Sequence, residues 1–318
     1  MLTRTAALLR RLAPLCLLPL VLLSPRAAAG DSGGPPAAGV RAGPVTVVHA
    51  EGDAGYALAV AELAAAAHER VRGDLGLEHR VEVAVMLLTA NSPSATREEW
   101  ARRLRSWVAG AAIPADQLIV VRVRPGQTPR SLEPLLAHEL THVILKADYP
   151  AFGSWPLWFQ EGLAMRESRT EGLREYLTLS AAALFGRMPP LESLSVRFPD
   201  DEAEARLAYA QSASFLAFLD ARFGRRGLAA LMRELRGRDF EESFRLAYGV
   251  GPGAAEGLWL KWVNRRYAWV PAVTSETAFW LLITLLFLVA VAARRRRSRL
   301  MRERWEAEEG EGEGRPDA

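Results

Sequence analysis

The chain has 318 residues, half of them hydrophobic, and a formal net charge of +3. This length allows one or two domains with a hydrophobic core, and the abundance of Ala and Leu favours a helix-rich fold. The small net charge argues against a nucleic-acid partner, since much of the basic charge sits at the termini and in one arginine run. The only cysteine, Cys16, excludes an intrachain disulfide framework and a cysteine-based zinc site.

The first 29 residues predict a secretory signal peptide. A basic start precedes an apolar run at 12–23, and the small residues at 27–29 are typical of a cleavage site. An uncleaved anchor is the alternative, but the run is shorter than the ~20 residues of a spanning helix and contains prolines. Residues 30–44, rich in Gly, Pro and Ala, are interpreted as a linker.

A small mixed sheet with helices is predicted next, over residues 45–150. Strand and helix patterns alternate there, at residues 45–49, 56–72, 80–88, 97–109 and 118–123. On the first helix, His68-Glu69 is followed four residues later by Arg72 instead of a second histidine. It therefore lacks the two-histidine face of a metal site, and we expect an exposed helix end there.

The pattern His-Glu-x-x-His lies inside an apolar helical run at about 132–146. Residues four apart share a helix face, so His138 and His142 can bind one metal ion. Glu139 lies beside them, where it can hold a metal-bound water and take its proton. Because the helix is predicted to be buried, these polar side chains need partners. A metal supplies them; the alternative is that backbone groups or carboxylates do.

A third ligand is needed for a zinc ion that keeps one position open for water. The best candidate is Glu161, on a predicted helix at 157–167 with large apolar residues before it. The alternative for Glu161 is an ordinary solvated carboxylate. We expect Gly162, the next residue, to let another helix approach closely.

These two segments resemble the gluzincin metallopeptidases, and more closely the bacterial peptidase-MA-like domains. Those domains pair a His-Glu-x-x-His helix with a Trp-x-x-Glu-Gly-x-Ala segment, which fits residues 158–164. The resemblance covers roughly residues 45–267. It implies a thermolysin-like site with one zinc ion per chain, bound by His138, His142 and Glu161. It also implies that a strand at 118–124 forms the cleft edge that binds extended substrate through its backbone.

The second half is predicted to be helical, at 172–185, 202–223, 228–236, 240–248 and 254–267. Tyr209, followed by Gln-Ser-x-Ser-Phe, also resembles the peptidase-MA-like pattern. Its phenol could donate a hydrogen bond to an oxyanion, or it could be a core tyrosine. Met165 stands where thermolysin-like enzymes place an Asp that holds a histidine ligand. That partner must come from elsewhere, and the loop acids Glu192, Asp200 and Asp201 are candidates.

Near the C-terminus, residues 273–293 predict a transmembrane helix. A charge-free run is followed at once by arginines, and the positive-inside rule places the basic-then-acidic tail, residues 294–318, in the cytoplasm. With the export signal, this predicts a single-pass protein of the cell membrane. Its catalytic domain would face the periplasm or the exterior.

The predicted fold is α+β, with one peptidase-like domain at 45–268 made of an α/β part to residue 150 and a helical part from 151, followed by the membrane helix. The predicted function is a membrane-anchored zinc metallopeptidase, in which Glu139 assists attack of a zinc-bound water on a peptide or protein substrate. One alternative is a non-catalytic binding or chaperone protein of the cell envelope. Another is a zinc hydrolase acting on other bonds. The oligomeric state is not predicted.

Overall fold

The computed structural model describes residues 38–170, 173–184, 186–267 and 276–312. The predicted signal peptide, residues 1–29, lies outside the described residues. The chain divides into two compact units, Met1–Val263 and Asn264–Ala318. Within the described residues, a mixed sheet comes first and most of the rest is helical, which is the predicted α+β arrangement.

The sheet has five strands in the order β1-β2-β3-β5-β4. Both outer pairs are antiparallel and the inner pairs are parallel. Alternating burial along Val-rich β2 and β3 is typical of strands with one face on a core. The strands are β1 Ala38–Ala42, β2 Val45–His49, β3 Val83–Leu88, β4 Gly110–Ile113 and β5 Leu118–Arg122.

Two sequence predictions about the sheet are corrected. Strand β1 lies inside the stretch interpreted as a linker, because its backbone finds a partner in β2 that composition cannot reveal. The strand predicted to form the cleft edge at 118–124 is internal, since β5 pairs with β3 on one side and with β4 on the other. Strand β4 is the edge strand on this side of the sheet, and it begins directly after a stretch predicted to be helical.

Helices cover both faces of the sheet. Helix α1, Ala54–Leu75, packs on β1 and β2, and its fully buried alanines let it lie close to the strands. Helix α2, Ser94–Arg103, contributes Trp100 to a cluster with Ala111 and Val120. His68 of α1 is fully buried, with Nε2 3.0 Å from the carbonyl oxygen of Val81. The expectation of an exposed helix end there was wrong.

The helices of the second half lie where the sequence predicted them. Asp201 caps α6 by accepting hydrogen bonds from the backbone N–H groups of Ala203 and Glu204, and Asp239 caps α8. The helices are α3 Glu133–Asp148, α4 Leu157–Ser168, α5 Leu173–Leu184, α6 Glu202–Phe223, α7 Arg225–Glu234, α8 Phe240–Tyr248 and α9 Pro252–Tyr267. The domain boundaries themselves stay a prediction.

Helix α10, Glu276–Gly312, contains residues 276–293 of the segment predicted to cross a membrane; residues 273–275 lie outside the described residues. Among the residues that the structure describes, no helix combines the length and the apolar character needed to cross one. The charge-free run 277–293 extends only ~25 Å as a helix, short of the ~30 Å hydrocarbon core. The predictions of a transmembrane helix at 273–293 and of a single-pass membrane protein are therefore wrong. The predicted membrane partner and the predicted cytoplasmic placement of residues 294–318 depended on that helix, so both lose their basis.

Candidate metal centre

Helix α3 presents two histidines from successive turns on one face. A proline in the first turn suits the helix start, and residues 136–145 are all buried between the sheet and the neighbouring helices. Nε2 of His142 lies 3.4 Å from Nε2 of His138, and the ring centroids are 5.1 Å apart. This is the arrangement that the four-residue spacing predicted.

Glu161 reaches the two histidines from helix α4. Its Oε2 lies 3.2 Å from Nε2 of His138 and 3.6 Å from Nε2 of His142. One ligand atom from each of these residues lies within 4.8 Å of the others. All three side chains are buried, so Glu161 is not the solvated carboxylate that the sequence left as an alternative.

The donor set fits a metal ion. Within the described part of the chain, neither carboxylate oxygen of Glu161 has a hydrogen-bond partner, although both are buried. Burial tends to raise the pKa of Glu161, but the nearby His142 and His138 outweigh it and lower that pKa to about 2. The polar atoms near this carboxylate are the two imidazole nitrogens, at 3.2 and 3.6 Å, and a buried carboxylate is costly unless a cation pairs with it. Two imidazoles and one carboxylate form a ligand set that zinc takes in hydrolases.

Glu139 lies beside the metal ligands in a different environment. Burial raises its pKa, His138 lowers it and Glu161 raises it, to a value of about 7. Its Oε2 is buried and has no partner among the described residues, and the backbone N–H of Ala112 on β4 donates a hydrogen bond to the carboxylate. A carboxylate that exchanges a proton near neutral pH is suited to act as a general base.

Gly162 sets how closely helices α4 and α6 can cross. A Cβ at this position would lie 2.5 Å from Cδ2 of Leu216 and 2.9 Å from the carbonyl oxygen of Ser212. The absence of a side chain therefore permits the close approach that the sequence analysis expected. This crossing brings α6 alongside the residue next to Glu161.

Tyr209 is the residue of α6 that lies beside the centre. It is fully buried, and its ring centroid is 6.3 Å from that of His138 and 5.0 Å from that of Phe198. The helix crossing thus brings Tyr209 to the predicted neighbourhood. Its chemical role stays a proposal.

The partner predicted for a histidine ligand is not where the sequence suggested. Nδ1 of His142 is buried and has no partner among the described residues. Glu192 is exposed, Asp200 pairs with arginines, and Asp201 caps α6. Met165 is buried near the end of α4 and offers no hydrogen-bonding oxygen.

The structure also brings in residues that the sequence analysis did not assign to the site. The ring of Phe152, on the 3-10 turn after α3, lies 6.2 Å from that of His142. Phe198 covers Tyr209. Neither residue belongs to a recognisable motif, so only the long-range packing could identify them.

Strand β4 lies at the end of the sheet beside Glu139; its residues are buried, but no further strand pairs with its outer backbone edge among the described residues. Arg122 N–H donates to the Ala109 carbonyl, and the antiparallel register continues through Ala111 opposite Val120. Because hydrogen-bonded and non-hydrogen-bonded pairs alternate, the N–H and C=O groups of Gly110 and Ala112 point away from β5.

The family described as the peptidase MA superfamily matches residues 82–265, which is more than half of the chain. This range contains β3, the edge strand, both metal-ligand helices and Tyr209. No curated protein shows a significant match to the chain.

Proposed function

Because the chain belongs to the peptidase MA superfamily, we propose that it is a zinc-dependent metallopeptidase that hydrolyses peptide bonds. His138, His142 and Glu161 are the zinc ligands in this proposal. The observation that carries it is the convergence of buried imidazole nitrogens on a carboxylate that has no hydrogen-bond partner among the described residues. A peptide or protein is the expected substrate.

Two side chains would act on the substrate and on water. When bound, zinc supplies Lewis acidity and lowers the pKa of a coordinated water. Glu139 takes a proton from the attacking water and passes it to the leaving amine, a role that suits a buried carboxylate beside the three candidate ligands. Tyr209 donates a hydrogen bond to the oxygen of the scissile carbonyl as negative charge develops on it.

The substrate would bind along the free edge of β4. The outward N–H and C=O groups of Gly110 and the outward C=O of Ala112 can pair with an extended peptide, adding a strand to the sheet. Gly110 carries no side chain, and a Cβ there would lie 3.1 Å from Cδ1 of Leu135 on α3. Helix α3 therefore packs directly on the face of β4, and a bound peptide would run along the outer edge of β4, near Glu139.

The first test is the metal content of the full chain, measured by mass spectrometry for the wild type and for His138→Ala. About one zinc ion per chain, lost in the variant, is the expected result. His79→Ala is the matched control, since the His79 side chain is largely exposed and pairs with Asp148 instead. A folded wild type that binds no added zinc would refute the proposal.

The second test is cleavage of a quenched peptide library. We expect cleavage that a chelator abolishes and that Glu139→Gln removes while zinc is retained. Zinc binding without peptide cleavage would instead favour a hydrolase acting on other bonds, or a binding protein.

One observation favours a second candidate function, that of a non-catalytic binding protein. His138, Glu139, His142 and Glu161 are at most 3% exposed, so the centre is closed to a polypeptide in this conformation. A peptidase of this structure must open before it can bind a substrate.

A further inference from the structure

The enclosure of the metal centre raises the question of what covers it. Residues 196–200 lie between the 3-10 turn Leu191–Leu194 and helix α6, and Phe198 in the middle of this segment packs against Tyr209. We propose that this segment, called here the cover, is a movable lid over the metal centre that the Arg105–Asp200 ion pair holds closed. The proposal deepens the proposed function, because it concerns how a peptide reaches the same site.

The cover is held firmly at its two ends and weakly between them. At one end, the backbone N–H of Leu157 donates to the Ser195 carbonyl at 2.8 Å. At the other, Asp201 caps α6. Within the described residues, the only hydrogen bond to the backbone of the cover comes from Arg105, whose NH1 lies 3.4 Å from the Asp200 carbonyl oxygen. Segments with few backbone hydrogen bonds open at low free-energy cost.

The Phe198 side chain of the cover points inward, whereas that of Val196, two residues earlier, points to solvent. Val196 is 90% exposed, whereas Phe198 is 7% exposed and packs edge-on against Tyr209. Tyr209 in turn lies against His138. Displacement of Phe198 would uncover Tyr209 and, behind it, the histidines.

The Arg105–Asp200 ion pair, called here the latch, connects the cover to the proposed substrate-binding edge of β4. The Arg105 guanidinium pairs with the Asp200 carboxylate, and Arg105 belongs to the loop that leads into β4. Arg122 of β5 anchors this loop, because its NH1 donates to the carbonyls of Arg105, Ser106 and Val108 at 3.3, 3.1 and 3.2 Å. Arg105 is therefore held in place by its loop, and Asp200 is the partner that can move away when the ion pair breaks.

The ion pair is suited to a latch that opens. The Arg105 and Asp200 side chains are 38% and 56% exposed, so solvent and salt weaken their attraction. Such a pair adds a small, salt-dependent preference for the closed state. Neither residue belongs to the metal site, so both can be changed without touching the ligands.

Histidine footprinting tests the latch. The metal-free full chain is treated with diethyl pyrocarbonate near neutral pH, and modification of each histidine is followed by peptide mass spectrometry. We expect Arg105→Ala and Asp200→Asn to speed modification of His138 and His142 roughly two- to fivefold, the change that an exposed ion pair produces. High salt should do the same in the wild type and have less effect in the variants.

The chain carries its own controls for this measurement. The modification rate of exposed His79 measures the activity of the reagent, and that of buried His68 on α1 detects unfolding of the whole domain. Neither rate should change in the variants. Arg238→Ala removes another surface ion pair, with Glu234, and should leave His138 at the wild-type rate. Phe198→Ala removes the inward side chain itself and should give a larger increase than the latch variants.

The proposal is overturned if His138 and His142 react at the wild-type rate in both latch variants and in Phe198→Ala. It is also overturned if His68 accelerates in parallel with them. A chain that binds no zinc would refute the proposed function but not the cover, because the footprint is measured on metal-free protein.

Discussion

Oε2 of Glu161 lies 3.2 Å from Nε2 of His138, although the two residues belong to different helices. The carboxylate is buried, and the two imidazole nitrogens at 3.2 and 3.6 Å lower its pKa. We expect Glu161→Gln to lower the zinc content from about one ion per chain to near zero after dialysis, because an amide is a poor zinc ligand. Mass spectrometry measures this, and Glu167→Gln on the same helix is the control that should keep zinc.

Glu139→Gln tests the general base separately from the metal. Glutamine has the same shape but cannot accept the proton, so peptide cleavage should fall roughly a hundred- to ten-thousandfold with zinc content unchanged. Cleavage of a quenched peptide and metal analysis on the same sample measure both. Cleavage at the wild-type rate would show that another group takes the proton.

Gly162→Ala tests the crossing of α4 and α6. The added methyl would overlap Leu216 and the Ser212 carbonyl, so we expect a loss of about 1–3 kcal/mol in the free energy of unfolding. Denaturant unfolding measures it. Gly257→Ala in α9 is the matched control, since nothing lies within 4 Å of its Cβ position, and alanine should stabilise that helix by about 1 kcal/mol. Equal effects at both positions would contradict the close crossing.

Strand β4 offers a pair of proline substitutions. The Ala112 N–H points away from β5 and hydrogen-bonds the Glu139 carboxylate, so Ala112→Pro should leave the sheet paired but lower the rate of peptide cleavage. Ala111→Pro should instead lower the melting temperature, because its N–H faces Val120. Thermal melts and cleavage kinetics measure the two effects. The alternation would be contradicted if Ala112→Pro were the more destabilising of the two.

His68 gives a prediction for pH. Its burial lowers its pKa below the ordinary 6.5, so the folded state binds the proton less readily than the unfolded state. The stability that neutral His68 contributes is present above pH 6.5 and is lost as the pH falls toward the lowered pKa. His68→Gln should therefore lose less stability than the wild type between about pH 7 and pH 5. Denaturant unfolding across that range measures it, with His79→Gln as the exposed control.

The helical half of the fold was predictable because its signals are local. Apolar periodicity and capping residues such as Asp201 mark the helix ends in the sequence itself. The edge strand β4 was missed for the same reason. Its four small or apolar residues, Gly110–Ile113, show no alternation, and only pairing with β5 makes them a strand.

By itself, the sequence determined which residue types could form a metal site. The four-residue spacing of His138 and His142 places both imidazoles on one face of any helix that they form, whatever surrounds it. Glu161 could be named from its motif, and the family match agrees with that motif. Local geometry and residue type were sufficient for these conclusions.

Only the tertiary structure decided which residues surround the candidate metal site and how the ligand residues come together. It packed α4 against α3 so that Glu161 reaches the histidines, made β4 an edge strand, left Nδ1 of His142 without a partner among the described residues, and put Phe198 over Tyr209. Each of these depends on contacts between residues far apart in the chain. Such contacts follow from how whole elements pack, and no short stretch of sequence carries them.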